Sequence, residues 1–413
     1  MDVKISQIAT DLFRKVSPVR EIMNFADPSN LRKYGIDPDN LISFGGGWVN
    51  HKSPKKLAEA YKNIVDDEIK FHFSGGDSPT NGEKSVKDAI VKFEEALYGT
   101  KNLTYENIVI GHSSSHLTSL LLNVILDEND QICMLDPSYC NYPLQIKVST
   151  GSHVLRFPVI DEHNFEYIAN KKETIENFRK FLLKNKPKVV MLISPDNPTS
   201  KILSDEFVKA THDTVKEYGG VIAMDFAYKE IYFGDYPDYF SWGQDENFIS
   251  IRSNSKWCRG LGRRLGWIEA PKYVTDAFES LQNSTILSPD RLHQMALTDY
   301  INSAISDNSL IPYVNEIRAL YKETARVTID AINKYIGLPC LEPDGGLYTC
   351  IRVDKNSAEF VEDVLKGTGV LFVPGWGFGK TVAHSVRLSY GPLVYEHGLI
   401  EKGLEKVGKF LKK

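Results

Sequence analysis

The chain has 413 residues, of which 42% are hydrophobic, 25% charged and 11% aromatic, a composition typical of a globular protein with roughly two or three domains. Asp and Glu outnumber Lys and Arg by 54 to 49, so a net charge of −5 supplies no positive field for nucleic acid or acidic lipid. We therefore expect neither a nucleic-acid partner nor a membrane surface.

Cysteine usage and apolar patterning indicate the compartment. The five cysteines are widely separated and form no Cys-x-x-Cys pair of the kind that builds zinc ribbons or thioredoxin-like sites. The opening residues alternate charged and apolar side chains without a secretory signal, and no apolar run is long enough to cross a bilayer. We expect a soluble, cytoplasmic protein with reduced cysteines.

Short apolar runs alternate with amphipathic stretches through the middle of the chain. Strands are predicted at 107–111, 131–136, 188–195, 219–225, 248–252 and 265–270, with a helix from about 115 to 126. Runs that are apolar on both faces and separated by helical patterns are typical of a parallel sheet covered on both sides. A doubly wound α/β domain from about residue 50 to 285 follows.

The last third of the chain has a different pattern. Long amphipathic segments at 311–335, 358–366 and 396–411 surround strand-like pieces at 346–353, 370–373 and 386–390. We interpret residues 290–413 as a smaller α+β domain, residues 46–289 as the large domain, and residues 1–45 as a segment packing on the small domain. Crevices at such junctions and at strand carboxyl ends are where α/β enzymes bind ligands.

Lys256 follows a predicted strand and precedes a glycine-rich loop in Ser253-Asn-Ser-Lys256. Taken alone, it is most simply a solvated loop lysine. The alternative is a Schiff-base lysine, because an amine that is partly desolvated and close to other cations loses its proton more easily. Arg263 and Arg264 supply positive charge here, and arginine binds phosphate well.

Two other strand ends carry polar side chains. Asp225 ends an apolar strand, where a buried acid needs a partner, and Tyr228 follows three residues later. The structural alternative is a helix cap or salt bridge; the functional one is a carboxylate facing a pyridinium nitrogen. Asn197 either forms an ordinary Asn-Pro turn or has a functional role. In the functional interpretation, Asn197 and Tyr228 donate hydrogen bonds to a phenolic oxygen on the ring whose pyridinium nitrogen Asp225 faces.

Ser114 and Ser115 lie between a strand and a helix, where hydroxyls and free N–H groups bind anions, although a plain serine cap is equally compatible. The same stretch spaces His112 and His116 for a metal, but no acid or cysteine ligand is near, and we expect no metal. Tyr139 is either a core residue or a platform for a flat cofactor.

Arg387 lies within an apolar strand, where arginine is unfavourable unless it binds an anion. A structural ion pair and recognition of a substrate carboxylate both satisfy that requirement. The sequence pattern does not choose between them.

The order of these motifs resembles that of the pyridoxal-phosphate aminotransferases of the aspartate aminotransferase superfamily (class I/II) across essentially the whole chain. The shared motifs are Gly45-Gly-Gly47, Ser114-Ser115, Asp136-Pro-Ser-Tyr139, Asn197-Pro-Thr, Asp225-x-x-Tyr228, Ser253-x-Ser-Lys256, Arg264-Leu-Gly-Trp267, Val373-Pro-Gly-Trp-Gly-Phe-Gly379 and Arg387-Leu-Ser-Tyr390. The 2-aminoadipate and aromatic transaminase branch is the most similar, on the evidence of Val19-Arg-Glu-Ile-Met23, Ile42-Ser-Phe-Gly-Gly-Gly47, Ser78-Pro-Thr-Asn-Gly82 and Ala227-Tyr-Lys-Glu-Ile-Tyr-Phe-Gly-Asp235. The resemblance implies a large cofactor-binding domain, with a mostly parallel sheet sandwiched by helices, and a smaller α+β domain.

The resemblance also implies a role for each site residue. Lys256 would form the Schiff base with pyridoxal 5′-phosphate and move the substrate proton, Asp225 would hold the pyridinium, and Tyr139 would stack on the ring. Asn197 and Tyr228 would bind the ring oxygen, and Arg387 the substrate α-carboxylate with help from Asn197 and the backbone around Gly46. The phosphate would be bound by Ser114, Ser115, Ser253, Ser255 and Arg264.

The chain departs from the family pattern at several positions. Ser200 replaces the glycine of Asn-Pro-Thr-Gly, and a loop one residue longer after Lys256 leaves Arg263 as an alternative phosphate ligand. Asp77 occupies the place of a tyrosine that reaches the neighbouring subunit's phosphate, where a carboxylate would be repulsive. Trp48 and Arg291 are also unusual, and we expect both to shape the substrate pocket.

The expected activity is ping-pong transamination between an L-amino acid and a 2-oxo acid, with 2-oxoglutarate as the acceptor. The alternatives are another reaction of the same cofactor, namely elimination, cyclisation, decarboxylation or oxidation, and a cofactor-free binding protein on a retained fold. By resemblance, we expect a homodimer with active sites at the subunit interface.

Overall fold

The computed structural model describes residues 4–14 and 24–412. The motif Val19-Arg-Glu-Ile-Met23, and with it part of the expected N-terminal segment, lies outside the described residues.

Helices and strands alternate through the first two thirds of the chain. The helices are α1 Gln7–Arg14, α2 Pro28–Lys33, α3 Lys55–Val65, α4 Glu68–Ser74, α5 Lys84–Tyr98, α6 Ser113–Ile125, α7 Tyr142–Ser149, α8 Lys172–Asn185, α9 Asp205–Tyr218, α10 Lys272–Asn283, α11 Arg291–Ser306, α12 Leu310–Ala331, α13 Ser357–Thr368 and α14 His397–Leu411. The strands are β1 Ile42–Ser43, β2 Ile108–Gly111, β3 Gln131–Asp136, β4 His153–Pro158, β5 Ile160–Asp161, β6 Glu166–Tyr167, β7 Val189–Ile193, β8 Val221–Asp225, β9 Phe248–Ser253, β10 Gly266–Glu269, β11 Tyr348–Arg352, β12 Val370–Leu371, β13 Val373–Pro374 and β14 Ser385–Ser389.

Seven strands form the central sheet in the order β2-β10-β9-β8-β7-β3-β4. Strands β9, β8, β7, β3 and β4 pair in parallel, whereas β10 is antiparallel to both of its neighbours. The register places Ile193, Asp225 and Ile251 side by side near the carboxyl ends of β7, β8 and β9. The loops that leave these ends therefore converge at one edge of the sheet.

Alternate residues of the central strands enter two separate cores. Val190 and Leu192 of β7 pack into one cluster with Phe178 and Phe207, while Val189 and Met191 pack into another on the opposite face. This is the burial on both faces that continuous apolar strands predict, and it confirms the α/β fold with a mostly parallel sheet between helices.

The last third contains a three-stranded antiparallel sheet in the order β11-β14-β13, which carries Arg387 on β14. Helices α12 and α14 pack together, while α11 packs on α3 and α5 of the preceding part of the chain. Strand β1 pairs in parallel with β12, which joins the end of the N-terminal segment to this region. The boundaries proposed at 45/46 and 289/290 stay a prediction. Among the described residues, no helix is long and apolar enough to cross a membrane.

Candidate active site

A cavity of about 240 Å³ lies where the loops from the carboxyl edge of the central sheet meet the small sheet. Its walls contain nearly all of the residues singled out in the sequence, although they are far apart along the chain. The lining residues are Gly45, Gly47, Ser113, Ser114, Ser115, Tyr139, Ile193, Asn197, Asp225, Ala227, Tyr228, Ser253, Ser255, Lys256, Leu261, Arg264, Tyr348 and Arg387.

The Lys256 amine lies in this cavity, a few residues beyond the end of β9. Its Nζ donates to the carbonyl oxygen of Gly47 at 2.6 Å. Burial, together with the positive charge of Arg387, lowers the pKa of Lys256 from 10.5 to about 8, and the carboxylate of Asp225 opposes this shift. The amine is thus neutral far more often near physiological pH than that of an ordinary lysine.

Asp225 is buried at the end of β8. Its Oδ1 accepts from the Ala227 N–H at 2.8 Å, and its Oδ2 accepts from the Tyr142 hydroxyl in a short hydrogen bond. Burial raises the pKa of Asp225, while these two donors oppose that shift by stabilising the carboxylate. The sequence analysis missed Tyr142, which lies three residues after Tyr139 on the same segment; that spacing was the signal that could have indicated it.

Arg387 carries its positive charge into the cavity, and no carboxylate of the described residues pairs with it. Its terminal nitrogens donate to Asn197 Oδ1 and to the carbonyl oxygen of Gly45, each at 3.0 Å. Its guanidinium carbon lies 4.4 Å from the centre of the Tyr348 ring and 5.0 Å from that of Phe378. Among the described residues it forms no ion pair, and its buried Nε has no hydrogen-bond partner. The structural ion pair considered from the sequence is thus not found there, which favours an external anion.

The opposite wall has the features of an anion site. Helix α6 begins at Ser113, and the His112 side chain does not cap its N–H groups. Arg264 donates to the Ser113 hydroxyl in a short hydrogen bond, and the Ser253 hydroxyl donates to Ser255 Oγ at 2.8 Å. Free N–H groups, the helix dipole, hydroxyls and a guanidinium together suit a phosphate.

The two adjacent arginines, Arg263 and Arg264, have different surroundings. Arg264 has a left-handed backbone, with φ of +51°, and lines the cavity. The Arg263 guanidinium instead lies 5.1 Å from the centre of the Tyr61 ring and is not among the lining residues. The geometry therefore favours Arg264 as the anion ligand.

Comparison with known proteins places this geometry in a family. A model of the family described as aminotransferase class I and II matches residues 42–399. The chain belongs to this family. It is 27% identical over 378 residues to an aspartate aminotransferase of Pyrococcus horikoshii, covering 89% of this chain and 91% of that protein. It is 24% identical over 401 residues to aromatic-amino-acid aminotransferase 2 of Thermococcus litoralis, covering 94% and 97%.

The solved structures agree on the fold. Aspartate aminotransferase of Thermus thermophilus with maleate gives a TM-score of 0.84 at 20% identity, covering 99% of this chain and 100% of that one. On the evidence of the family match and the relatives, this protein is a pyridoxal-phosphate-dependent aminotransferase, which moves an amino group between an amino acid and a 2-oxo acid. The narrower assignment to the 2-aminoadipate and aromatic branch stays a prediction.

The residues of this aminotransferase fit the cofactor on independent grounds. The uncapped α6 terminus with Arg264 suits a phosphate, and the buried Asp225 carboxylate suits a protonated pyridine nitrogen. Lys256 supplies an amine with a lowered pKa, and Arg387 has a buried donor without a partner for a second anion. The donor set therefore matches a ligand with an aldehyde, a basic ring and a phosphate.

Two predicted substrate residues lie outside the lining of the aminotransferase cavity. Gly45 and Gly47 line it, but Gly46 does not, and the Trp48 ring lies so close that a Cβ on Gly46 would be 1.9 Å from it. Trp48 itself is 48% exposed. Their roles in substrate binding stay predictions.

The remaining departures lie away from this cavity. Asp77 accepts from the Ser288 hydroxyl at 3.2 Å, and Arg291 pairs with Glu83 at 2.9 Å.

The His116 Nδ1 accepts from the backbone N–H of His112 at 3.2 Å, and burial lowers the pKa of His116 to about 4. Within residues 4–14 and 24–412, no group of metal-ligating side chains has the arrangement of a metal site.

Proposed function

We propose that Lys256 is the residue that binds the cofactor covalently and moves the substrate proton. The observation that carries this proposal is a lysine of lowered pKa in a cavity with a buried carboxylate, an anion site and an unpaired arginine. When bound, the cofactor supplies an aldehyde that takes up the amino group and a ring that accepts electrons. Once the substrate amine has displaced it from the cofactor, the free Lys256 Nζ would take a proton from the substrate α-carbon and carry it within the cavity.

We assign the cofactor ring to the wall formed by Asp225, Tyr228, Tyr139 and Asn197. The Asp225 carboxylate would hold the ring nitrogen protonated, supported by its bonds from Tyr142 and Ala227. The Tyr228 hydroxyl and the Asn197 amide would donate to the ring oxygen, and Tyr139 would pack on the ring face. The phosphate would lie against Ser114, Ser115, Ser253, Ser255 and Arg264.

Arg387 would bind the α-carboxylate of the substrate. Its guanidinium is held in place by Asn197, by the Gly45 carbonyl and by the Tyr348 ring, so little side-chain freedom remains to be lost on binding. A carboxylate would pair with the charge and supply the acceptor that the buried Nε lacks. Arg387 and Lys256 line the same cavity, so a carboxylate bound at Arg387 would bring the substrate α-carbon towards the Lys256 amine.

We propose 2-oxoglutarate as the amino acceptor. The relatives are aspartate and aromatic-amino-acid aminotransferases, and the Thermus enzyme was solved with maleate, a dicarboxylate. Arg387 supplies the subsite for one carboxylate of such a molecule.

We also propose that the enzyme is a cytoplasmic homodimer. The short helix α4 exposes Ile69, Phe71 and Phe73 by 69%, 53% and 56%, and Leu287 is 52% exposed. Apolar side chains exposed to this extent favour coverage by another subunit. All five cysteines are free thiols and four are buried, which suits a reducing compartment.

A half-reaction screen tests the function. Holoenzyme is mixed with each amino acid in turn, and the loss of Schiff-base absorbance is measured. 2-Oxoglutarate is then added, and the absorbance should recover. We expect Lys256→Ala to lose the first step. We expect Arg387→Gln to weaken the apparent affinity for the amino acid by about 100-fold, because one partner of a buried charge pair is removed.

The matched control is Arg318→Gln. Arg318 stacks at 3.9 Å on Tyr232 and donates to the Glu230 carbonyl, away from the cavity lining. An Arg387→Gln enzyme whose apparent affinity equals that of the control would contradict the carboxylate assignment. Consumption of an amino acid without amination of any 2-oxo acid would contradict the proposed half-reactions.

A further inference from the structure

Two tyrosines from different parts of the chain meet in the cavity wall. The hydroxyls of Tyr228, which follows β8, and Tyr348, which begins β11, are 2.7 Å apart. Both side chains are buried, and both line the cavity. The proposed roles explain the Tyr228 hydroxyl and the Tyr348 ring but assign nothing to the Tyr348 hydroxyl.

Each phenol has one proton, so the direction of this hydrogen bond decides what Tyr228 can do. If Tyr228 donates to Tyr348, it has no proton left for a ligand; if Tyr348 donates, the Tyr228 proton is free to point into the cavity. The Arg387 guanidinium lies 4.4 Å from the centre of the Tyr348 ring and favours negative charge on that phenol.

Burial raises the pKa of both phenols. Arg387 is the main influence opposing the shift at Tyr348, so Tyr348 is the more acidic phenol. The more acidic hydroxyl is the better donor. The proximity of the guanidinium to the Tyr348 ring therefore favours Tyr348 as the donor and Tyr228 as the acceptor.

Ser200 fixes the position of Tyr348. Its hydroxyl accepts from the Tyr348 backbone N–H at 2.9 Å, although its own backbone is left-handed, with φ of +58°. A glycine would adopt this backbone without strain but would offer no hydroxyl. The departure from the family's glycine thus introduces a bond that holds the start of β11 against the loop carrying Asn197.

We propose that Tyr348 is a positioning residue: it donates to the Tyr228 hydroxyl and so directs the Tyr228 proton to the cofactor's phenolic oxygen. This inference rests on the proposed function. We call the two hydrogen bonds, from Tyr348 to Tyr228 and from Tyr228 to the ring oxygen, the relay. Successive hydrogen bonds strengthen one another, so the relay withdraws charge from the ring oxygen and makes the Schiff-base nitrogen less basic. No covalent bond changes and no proton is transferred.

The test is a spectrophotometric pH titration of the Schiff base in holoenzyme. We expect Tyr348→Phe to raise its pKa by about 0.5 pH unit, a fraction of one hydrogen bond, and Tyr228→Phe to raise it more. In the double variant the pKa should equal that of Tyr228→Phe, because Tyr348 acts only through Tyr228. Tyr321→Phe is the matched control, since its buried hydroxyl bonds His51 at 3.0 Å away from the cavity lining, and it should leave the pKa unchanged.

Three results would overturn the relay. The Schiff-base pKa could stay unchanged in Tyr348→Phe, or it could shift equally in the Tyr321→Phe control. Tyr348→Phe could also shift this pKa by the same amount whether or not the Tyr228 hydroxyl is present. Failure of the proposed function is distinguishable, because the unmodified enzyme would then show no titrating Schiff base at Lys256. If Tyr348→Phe does not fold, Ser200→Ala keeps the phenol but removes its anchor; a smaller shift in the same direction supports the relay, and none contradicts it.

Discussion

The Lys256 amine should react with electrophiles near neutral pH far faster than an ordinary lysine. Burial and Arg387 lower its pKa from 10.5 to about 8. At pH 7.5 about one quarter of such amines is neutral, against about one in a thousand for an unshifted lysine, a difference of roughly 250-fold. The amine reactivity of the apoprotein should therefore rise through pH 8, well below the range of a free lysine.

Trace labelling with acetic anhydride over a pH series, read by mass spectrometry of the Lys256 peptide, measures this pKa without cofactor. Lys272 is an internal contrast, because its hydrogen bonds to Asp276 raise its pKa. Arg387→Gln should move the Lys256 midpoint upward, since it removes a neighbouring positive charge. A midpoint near 10.5 in the unmodified apoprotein, or one unaffected by Arg387→Gln, would refute the electrostatic reasoning.

Substitutions at three further positions test other contacts. Burial and the neighbouring Glu94 raise the pKa of Glu269 to about 7. The stability that this group contributes is therefore present below pH 4.5 and lost as the pH rises to 7. Glu269→Gln should raise the melting temperature at pH 8 more than at pH 5, and an equal effect at both pH values would contradict this reasoning. Ser200→Ala removes the hydroxyl that accepts from the Tyr348 N–H and should lower the free energy of unfolding by about 1–2 kcal/mol. Ser200→Gly should lower it by less, because glycine relieves the left-handed strain. A glycine variant less stable than the alanine variant in urea unfolding would contradict that account. Tyr142→Phe removes a donor to the Asp225 carboxylate and should weaken cofactor binding to the apoprotein by about tenfold in equilibrium dialysis; unchanged binding would exclude a role for this bond.

The fold was predictable because its strongest signal is local. Strands such as β7 are apolar on both faces, and this pattern alone distinguishes a covered parallel sheet from an open antiparallel one. The carboxyl ends of such strands share one edge, so Asn197 and Asp225 could be expected in one place despite their separation. The antiparallel placement of β10 depends on a connection whose path no residue pattern specifies.

The site was less predictable where it depends on orientation. Tyr348 lies in an ordinary apolar strand 120 residues from its partner Tyr228, and the strand pattern does not show which face meets the cavity. Arg263 and Arg264 are adjacent, and a left-handed turn at Arg264 determines which one enters. The role of Ser200 was not predictable, because its hydroxyl bonds a backbone N–H of the small sheet that is distant along the chain.

The most direct test of the central claim is borohydride reduction of the holoenzyme followed by peptide mapping. Reduction converts the lysine–cofactor linkage into a stable secondary amine that survives digestion. The label should be found on the peptide containing Lys256 and should disappear in Lys256→Ala. Label on any other lysine of the unmodified enzyme, or none at all, would contradict the assignment of this cavity as the active site.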